Sequence, residues 1–432
     1  MLRPPHRRGR RRPTGPSLAL AIGLALGGGC THDVNLLGVA SAGGSAGGDG
    51  AAGGKGQGGQ RGDASVGDSA PISSCTGTGD PVRLGTPTAS APVCAATLAA
   101  RTHRFALCSC SDWNVTASVF TDAMSSRPGM VADPFSAALG VNGNLTTASG
   151  AADIWARGSL YVGGSKGILA RGHLDVGRTL QLGGPLTLMA AMASNVWADA
   201  YAGGDVSGAL FVKGTLHLNP AASVGLGTTA TATSREAVTV APPCDCGATV
   251  DVSTAITNAM ATNDNATIGL SPDRLASVKI PAVQDLPCGV FMLSSIGADA
   301  SLTLNVHGRA LLVVPGDIVV RGGLIVKIDS GVSLDLLLGG SLTTMGAGPV
   351  GSMTAAVFRV WVKGAGPITL DDGPVVGGII YAPGAALSAP EGMEMYGAIL
   401  AASLSFGDQV TTHFDQGVLG AGCGDPKVDQ VP

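Results

Sequence analysis

The sequence predicts an all-β protein built as a parallel β-helix (a solenoid), and three observations carry that expectation. Glycine supplies 67 of 432 residues and falls between short apolar runs, where the chain must turn through positive φ. Those runs alternate apolar and polar with a period of two, the pattern of strands with one buried face. Aromatic residues make up only 4%, too few for a core of large rings. A solenoid needs none, because each coil buries a ladder of small apolar side chains on the next. A β-sandwich is the alternative that the same short strands allow.

In chain order, residues 1–29 read as a secretory signal. Six arginines (Arg3, Arg7, Arg8, Arg10, Arg11 and Arg12) with no acidic neighbour precede an apolar run at 17–26. That run is too short for a bilayer core, which takes about 20 residues, and has the length and flanks of a signal peptide. Gly27, Gly28 and Gly29 lead directly into Cys30, the expected site of lipid attachment. The arrangement resembles a bacterial lipobox, with Leu26 one position earlier than usual and Gly27 in its place. By the same resemblance, Thr31 after the cysteine directs a lipoprotein to the outer membrane, facing the periplasm or the cell surface. Removing the six arginines leaves 20 Lys and Arg against 30 Asp and Glu, a net charge of −10. Such a surface repels phosphate backbones, which argues against nucleic acid as a partner.

Residues 30–80 comprise Cys30 and a Gly/Ala-rich tether with too little apolar surface to order itself. The tripeptide Arg61, Gly62, Asp63 lies within it and arises easily by chance in such a composition. Setting Cys30 aside leaves eight cysteines: Cys75, Cys94, Cys108, Cys110, Cys244, Cys246, Cys288 and Cys423. An even set in an exported chain reads as up to four disulfides. Cys108/Cys110 and Cys244/Cys246 are closer than the usual zinc spacing, and no histidine stands near either pair at ligand spacing. No metal is expected there.

The rest divides by texture. Residues 81–136 are expected to form a Cys-containing N-terminal cap. Residues 137–235 carry the pattern Gly-x-Leu-x-Val/Leu at 158–163, 172–177, 208–214 and 214–218, and read as coils. Residues 236–290 are an insertion bracketed by Cys244, Cys246 and Cys288, with a short helix at 252–260 capped by Ser253 or Thr254. Residues 291–423 return to coils, with runs at 302–306, 310–314, 317–320, 324–328 and 332–338, and another at 357–362 after a longer gap. Residues 424–432 are a tail.

Several short motifs follow one another along the chain. They are Asn263, Asp264 and Asn265 with the stretch to Leu270; Leu286, Pro287, Cys288 and Gly289; and Leu334, Asp335, Leu336 through Gly340. Tyr381-Ala382-Pro383, Tyr396-Gly397-Ala398 and Thr412-His413-Phe414-Asp415 complete the series. In these residues the chain resembles uncharacterised myxobacterial-type secreted lipoproteins with a C-terminal β-helical domain, similar to one in some type IV pilus accessory proteins. The resemblance covers about 240–420 and departs from the family at Phe414, where tyrosine is commoner. It implies a fold and an envelope location, and no enzymatic role comes with it.

Catalytic patterns are sparse. The seven histidines show no zinc-hydrolase spacing, and there is no Gly-x-Ser-x-Gly elbow. The carboxylates that a polysaccharide lyase or glycosidase would need are Asp371 with Asp372, Asp317 with Asp329 and Asp335, and Glu391 with Glu394. Each reads more simply as a turn residue or a solvated edge. His413 and Asp415, two apart on a strand, share a face and read as closing the last coil; Tyr381 and Tyr396 read as ladder or cap residues. No cofactor is expected, calcium (Ca) being the one ion a carboxylate row would admit. The pattern as a whole implies a non-enzymatic structural, adhesive or assembly-accessory role. Its partners would be the membrane, through the lipid, and envelope, pilus or polysaccharide components. A carbohydrate-active enzyme is the rival.

Overall fold

Apolar–polar–apolar triplets become three-residue strands that bury their first and third side chains. Leu160–Val162, Leu180–Leu182 and Ala200–Ala202 each show this alternation, and they stack in parallel register, Leu160 on Leu180 on Ala200. The computed structural model describes residues 82–85 and 93–420, apart from 128, 248, 249 and 347. The expected signal peptide, Cys30, the tether, Cys75, Cys423 and the tail lie outside those residues. Within them the chain forms a parallel β-solenoid of about 13 turns. Three strands per coil build three parallel ladders around one continuous apolar core. Parallel pairing throughout the coils rules out the β-sandwich.

Coil order is not chain order. Residues 107–124, expected to belong to a cap, form a complete coil through the strands Leu107–Ser109, Trp113–Val115 and Val119–Met124. That coil lies in the middle of the solenoid. On one side Leu107 pairs with Leu139 and Val119 with Ile154, and coils continue outward to the edge strand Thr228–Arg235. On its other side Leu107 pairs with Ile399 and Val410 with Val119. The C-terminal coils therefore begin at the opposite end, with Ala282–Leu286 and Gly289–Met292, and run back to meet the N-terminal half. The first of these strands and the start of the second lie inside the segment expected to be an insertion, so the insertion ends near residue 281. Along the axis the order is 282–415 and then 107–235. Trp113 and Phe406 meet edge to face across this junction, with ring centroids 5.9 Å apart.

Residues 236–281 must carry the chain from one end of the solenoid to the other. Two disulfides hold this return segment to the central coil, Cys108–Cys244 and Cys110–Cys246, each with a Cα–Cα distance of 5.7 Å. Cys94 and Cys288 are disulfide-bonded as well. The segment includes a helix, Val252–Ala261, whose N-cap is Asp251 rather than Ser253 or Thr254. The Asp251 carboxylate accepts from the Thr254 amide at 2.9 Å, satisfying one of the free amides of the first turn. This helix and Ala95–Thr102 cover the outer side of one ladder. Leu311, Val313, Leu337, Trp361 and Tyr381 are buried there in a second apolar core.

Not every coil is broken by glycine corners. Val375–Ala389 and Met393–Phe406 each run unbroken across all three ladders. Gly397, within the Tyr396-Gly397-Ala398 motif, adopts φ +134°, and a Cβ there would meet the Gly378 carbonyl oxygen at 1.9 Å. Only glycine fits where one coil folds this closely over the next.

His103 follows the first helix beside the junction and is 1% exposed. Its Nε2 lies 3.0 Å from the Ile380 carbonyl oxygen and its Nδ1 2.8 Å from the Thr102 hydroxyl. Burial lowers its pKa to about 4, against an opposing contribution from the carbonyl contact. The unfolded chain, with its ordinary histidine, therefore binds the proton first as pH falls. Stability is fully present above about pH 6.5 and is lost progressively down to about pH 4, by about 3 kcal/mol in all. Denaturant midpoints measured across that window should fall for the wild type. They should fall less for His103→Gln, and parallel curves would refute this role.

Candidate functional site

The motif residues fall at the structural seams of the solenoid. Gly289–Met292 is the first strand of its ladder, so one edge has no neighbouring strand. Asp264 and Asn265 supply the missing partners. The Val290 amide donates to Asp264 Oδ2 at 2.8 Å, and the Met292 amide donates to Asn265 Oδ1 at 2.8 Å. Asn265 Nδ2 donates in return to the Met292 carbonyl at 2.7 Å. Asn263 ties the same turn to the helix through the Ala259 carbonyl at 3.0 Å. Side chains thus close an edge that would otherwise invite another strand.

The C-terminal motif closes the junction. His413 Nδ1 lies 2.5 Å from Asp122 in the N-terminal half, and Nε2 lies 3.3 Å from Glu394. Tyr396 stacks on the imidazole at 4.5 Å and donates its hydroxyl to Glu394 at 2.6 Å, which raises the phenol pKa. Asp415 is fully buried and accepts the amides of Ser126, Ala356 and Gly417, each at 2.9 Å, as well as the Ser126 hydroxyl. Tyr381 is buried and donates to the Gly247 carbonyl at 3.0 Å. His413 and Asp415 were expected to close the last coil; their strand instead lies at the junction, where both residues join the two halves.

Of the candidate carboxylates, Glu391 meets Asp371, and Asp335, Asp317, Asp329 and Glu394 are held by different partners. Asp335 is buried, with Arg359 Nε at 2.8 Å, Arg359 Nη2 at 2.6 Å and Trp361 Nε1 at 2.8 Å. This corrects the expectation of a turn or a solvated edge, because the strand carrying Asp335 lies beneath the second core. Asp317 accepts the Ser341 amide and hydroxyl, which holds its carboxyl low. Asp329 pairs with His307 at 2.9 Å. Glu391 has its pKa raised, chiefly by a hydrogen bond with Asp371, and accepts from the Asp372 amide at 3.3 Å on an exposed turn. Among the described residues, no group of three or more His, Cys, Asp or Glu is arranged to hold a metal ion.

A different site emerges on the outer side of the N-terminal half. Trp155 is the outward middle residue of Ile154–Ala156, and Trp197 directly follows Val196, which pairs with Val176 of the coil between them. The two indoles are thus two coils apart, roughly 10 Å along the axis. They are 36% and 48% exposed, whereas Trp113 and Trp361 are buried. Gly177 lies between Arg157 and Trp197 on the same ladder position; a Cβ on it would meet the Arg157 carbonyl oxygen at 2.0 Å. No side chain can stand at this position, because the Arg157 backbone fills the place of its Cβ, and the groove there has a volume of about 520 Å³. Trp197 Nε1 donates to Asp175 at 3.0 Å, and Lys213 Nζ sits 6.0 Å from the Trp197 ring centroid. Arg178, paired with Asp133, closes one rim with Phe135. No motif in the sequence marks this groove. Its signal was legible only as two tryptophans at outward positions two coils apart.

Residues 245–419 match a family model described as a domain of unknown function (DUF7305). No curated protein and no solved structure matches the chain.

Proposed function

We propose that the chain is a non-enzymatic envelope protein, exported and anchored through lipid on Cys30, whose solenoid displays an adhesive surface. The observation that supports this reading best is the contrast between its polar groups and its groove. Asp335, Asp317, Asp329, His413 and Asp415 are each occupied in ion pairs or backbone hydrogen bonds. Two exposed tryptophans meanwhile line an open groove on a stack of parallel coils. A rigid face with aromatic platforms suits holding a ligand in place. The basic and apolar order of residues 1–29 and the resemblance to myxobacterial-type lipoproteins favour an outer-membrane location. Among possible roles, pilus or envelope assembly belongs to the same reading.

A carbohydrate-active enzyme keeps one observation in its favour, the hydrogen-bonded carboxyl pair of Glu391 and Asp371. Purified protein that releases no reducing or unsaturated ends from acidic polysaccharides, with and without calcium, would eliminate it. The adhesive reading is tested by deleting residues 97–423 while keeping the anchor. Cells should lose binding to their matrix, and a palmitate analogue should label the wild type but not Cys30→Ser. Unchanged cell binding would refute adhesion, and equal labelling of both proteins would refute the anchor.

A further inference from the structure

From the groove around Trp155 and Trp197 we infer a binding site for a uronate-bearing glycan. This deepens the adhesive reading above and rests on it. Aromatic residues are scarce in this chain, so the exposure of two of its four tryptophans in one groove is an unusual use of them. Indole faces carry partial negative charge and pack against the C–H faces of sugar rings. Their separation of about two coils, roughly 10 Å, lets one glycan strand run past both indoles, over Gly177 and across the exposed edge of Trp155, whose ring is flanked by Phe120 and His173.

The charge of the groove selects among glycans. Arg157, Arg178 and Lys213 face a single lining carboxylate, Asp175, on a chain whose exported part is net negative. Arg178 is engaged by Asp133, and Asp175 accepts the Trp197 indole N–H. Arg157 is exposed and has no acidic partner among the described residues. A planar guanidinium free at the edge of an aromatic groove matches a sugar carboxylate in a two-pronged hydrogen bond. Spaced carboxylates suit this arrangement better than a phosphate on every unit. A nucleic acid strand, which could also stack on indoles, is opposed by the net charge of the exported part.

Titration of the purified full-length protein with hyaluronan hexasaccharide, followed by tryptophan fluorescence, tests this directly. In that probe glucuronate alternates with a neutral sugar, and cellohexaose serves as the uncharged control. Hyaluronan should bind at least about tenfold more tightly than cellohexaose. The double variant Trp155→Ala/Trp197→Ala, followed by calorimetry, should weaken hyaluronan binding by about tenfold or more. Arg157→Ala should erase the preference for hyaluronan over cellohexaose. Arg157 is exposed, so this variant remains informative if the double variant fails to fold. Hyaluronan binding that survives both variants would overturn the site. So would failure to bind hyaluronan, or tighter binding of a single-stranded oligothymidylate. If deletion of 97–423 abolishes cell adhesion while hyaluronan does not bind, the adhesive reading stands and this ligand falls.

Discussion

Asp335→Asn is expected to destabilise the protein by about 3–5 kcal/mol, the cost of leaving one member of a buried ion pair without its charged partner. Asp335 is fully buried and Arg359 is 3% exposed. The carboxylate takes two guanidinium hydrogen bonds and the Trp361 indole N–H, and Arg359 Nη1 has only the Ala356 carbonyl at 3.3 Å besides. An amide at 335 cannot accept all three donors and removes the compensating charge. The complementary variant Asp335→Leu/Arg359→Met should recover most of that loss, because it removes both desolvation costs together. Urea unfolding of the three proteins checks this through the shift in midpoint at constant slope. A loss of under 1 kcal/mol for Asp335→Asn, or a double variant no better than the single, would remove the pair from the account.

The same pair shows what the sequence made legible and what it did not. The strands Leu334–Leu338 and Phe358–Val362 were recognisable as apolar runs, because period-two alternation and burial are local properties. That Asp335 meets Arg359 depends on the two strands sharing a register one coil apart, which the alternation does not encode. The disulfides divide in the same way. An even set of cysteines was countable, but Cys108 meets Cys244 only because the return segment crosses the central coil. The tryptophan groove is hidden in the sequence for a related reason. An outward position is unremarkable in one triplet and becomes a groove only when the coil two steps on places Trp197 alongside.

The order of the halves lay furthest from reach. Local patterns describe coils equally well whether they stack as 107–235 followed by 282–415 or the reverse. The choice is made by contacts between residues some 290 positions apart, such as Val410 on Val119, Asp415 on Ser126 and His413 on Asp122. The DUF7305 match ends at residue 419, beside this seam. The last strand of the matched region, Val410–Asp415, does not leave its edge open here. Val119–Met124 continues the ladder, so the N-terminal half lengthens the same core. A half that extends the solenoid also extends the surface on which the tryptophan groove lies.

Holding that permuted order together falls partly to the paired disulfides, which should act as one unit. Cys108–Cys244 and Cys110–Cys246 each span 136 residues. In the chain-entropy account, closing a loop of that size in the unfolded state contributes about 5 kcal/mol. Once one bridge is present, the second closes only a ring of a few residues and adds about 2 kcal/mol. Cys108→Ser/Cys244→Ser and Cys110→Ser/Cys246→Ser should therefore each cost about 2 kcal/mol, because the surviving bridge retains the long loop. Removing both bridges should cost 5 kcal/mol or more, by the rough scaling of loop closure, well beyond the sum of the two single losses. Denaturant unfolding without reductant measures all four proteins on one scale. Two equal losses that simply add to the loss for both would mean that each bridge acts through its own local packing, and the return segment would then be held by the helix and its apolar core instead.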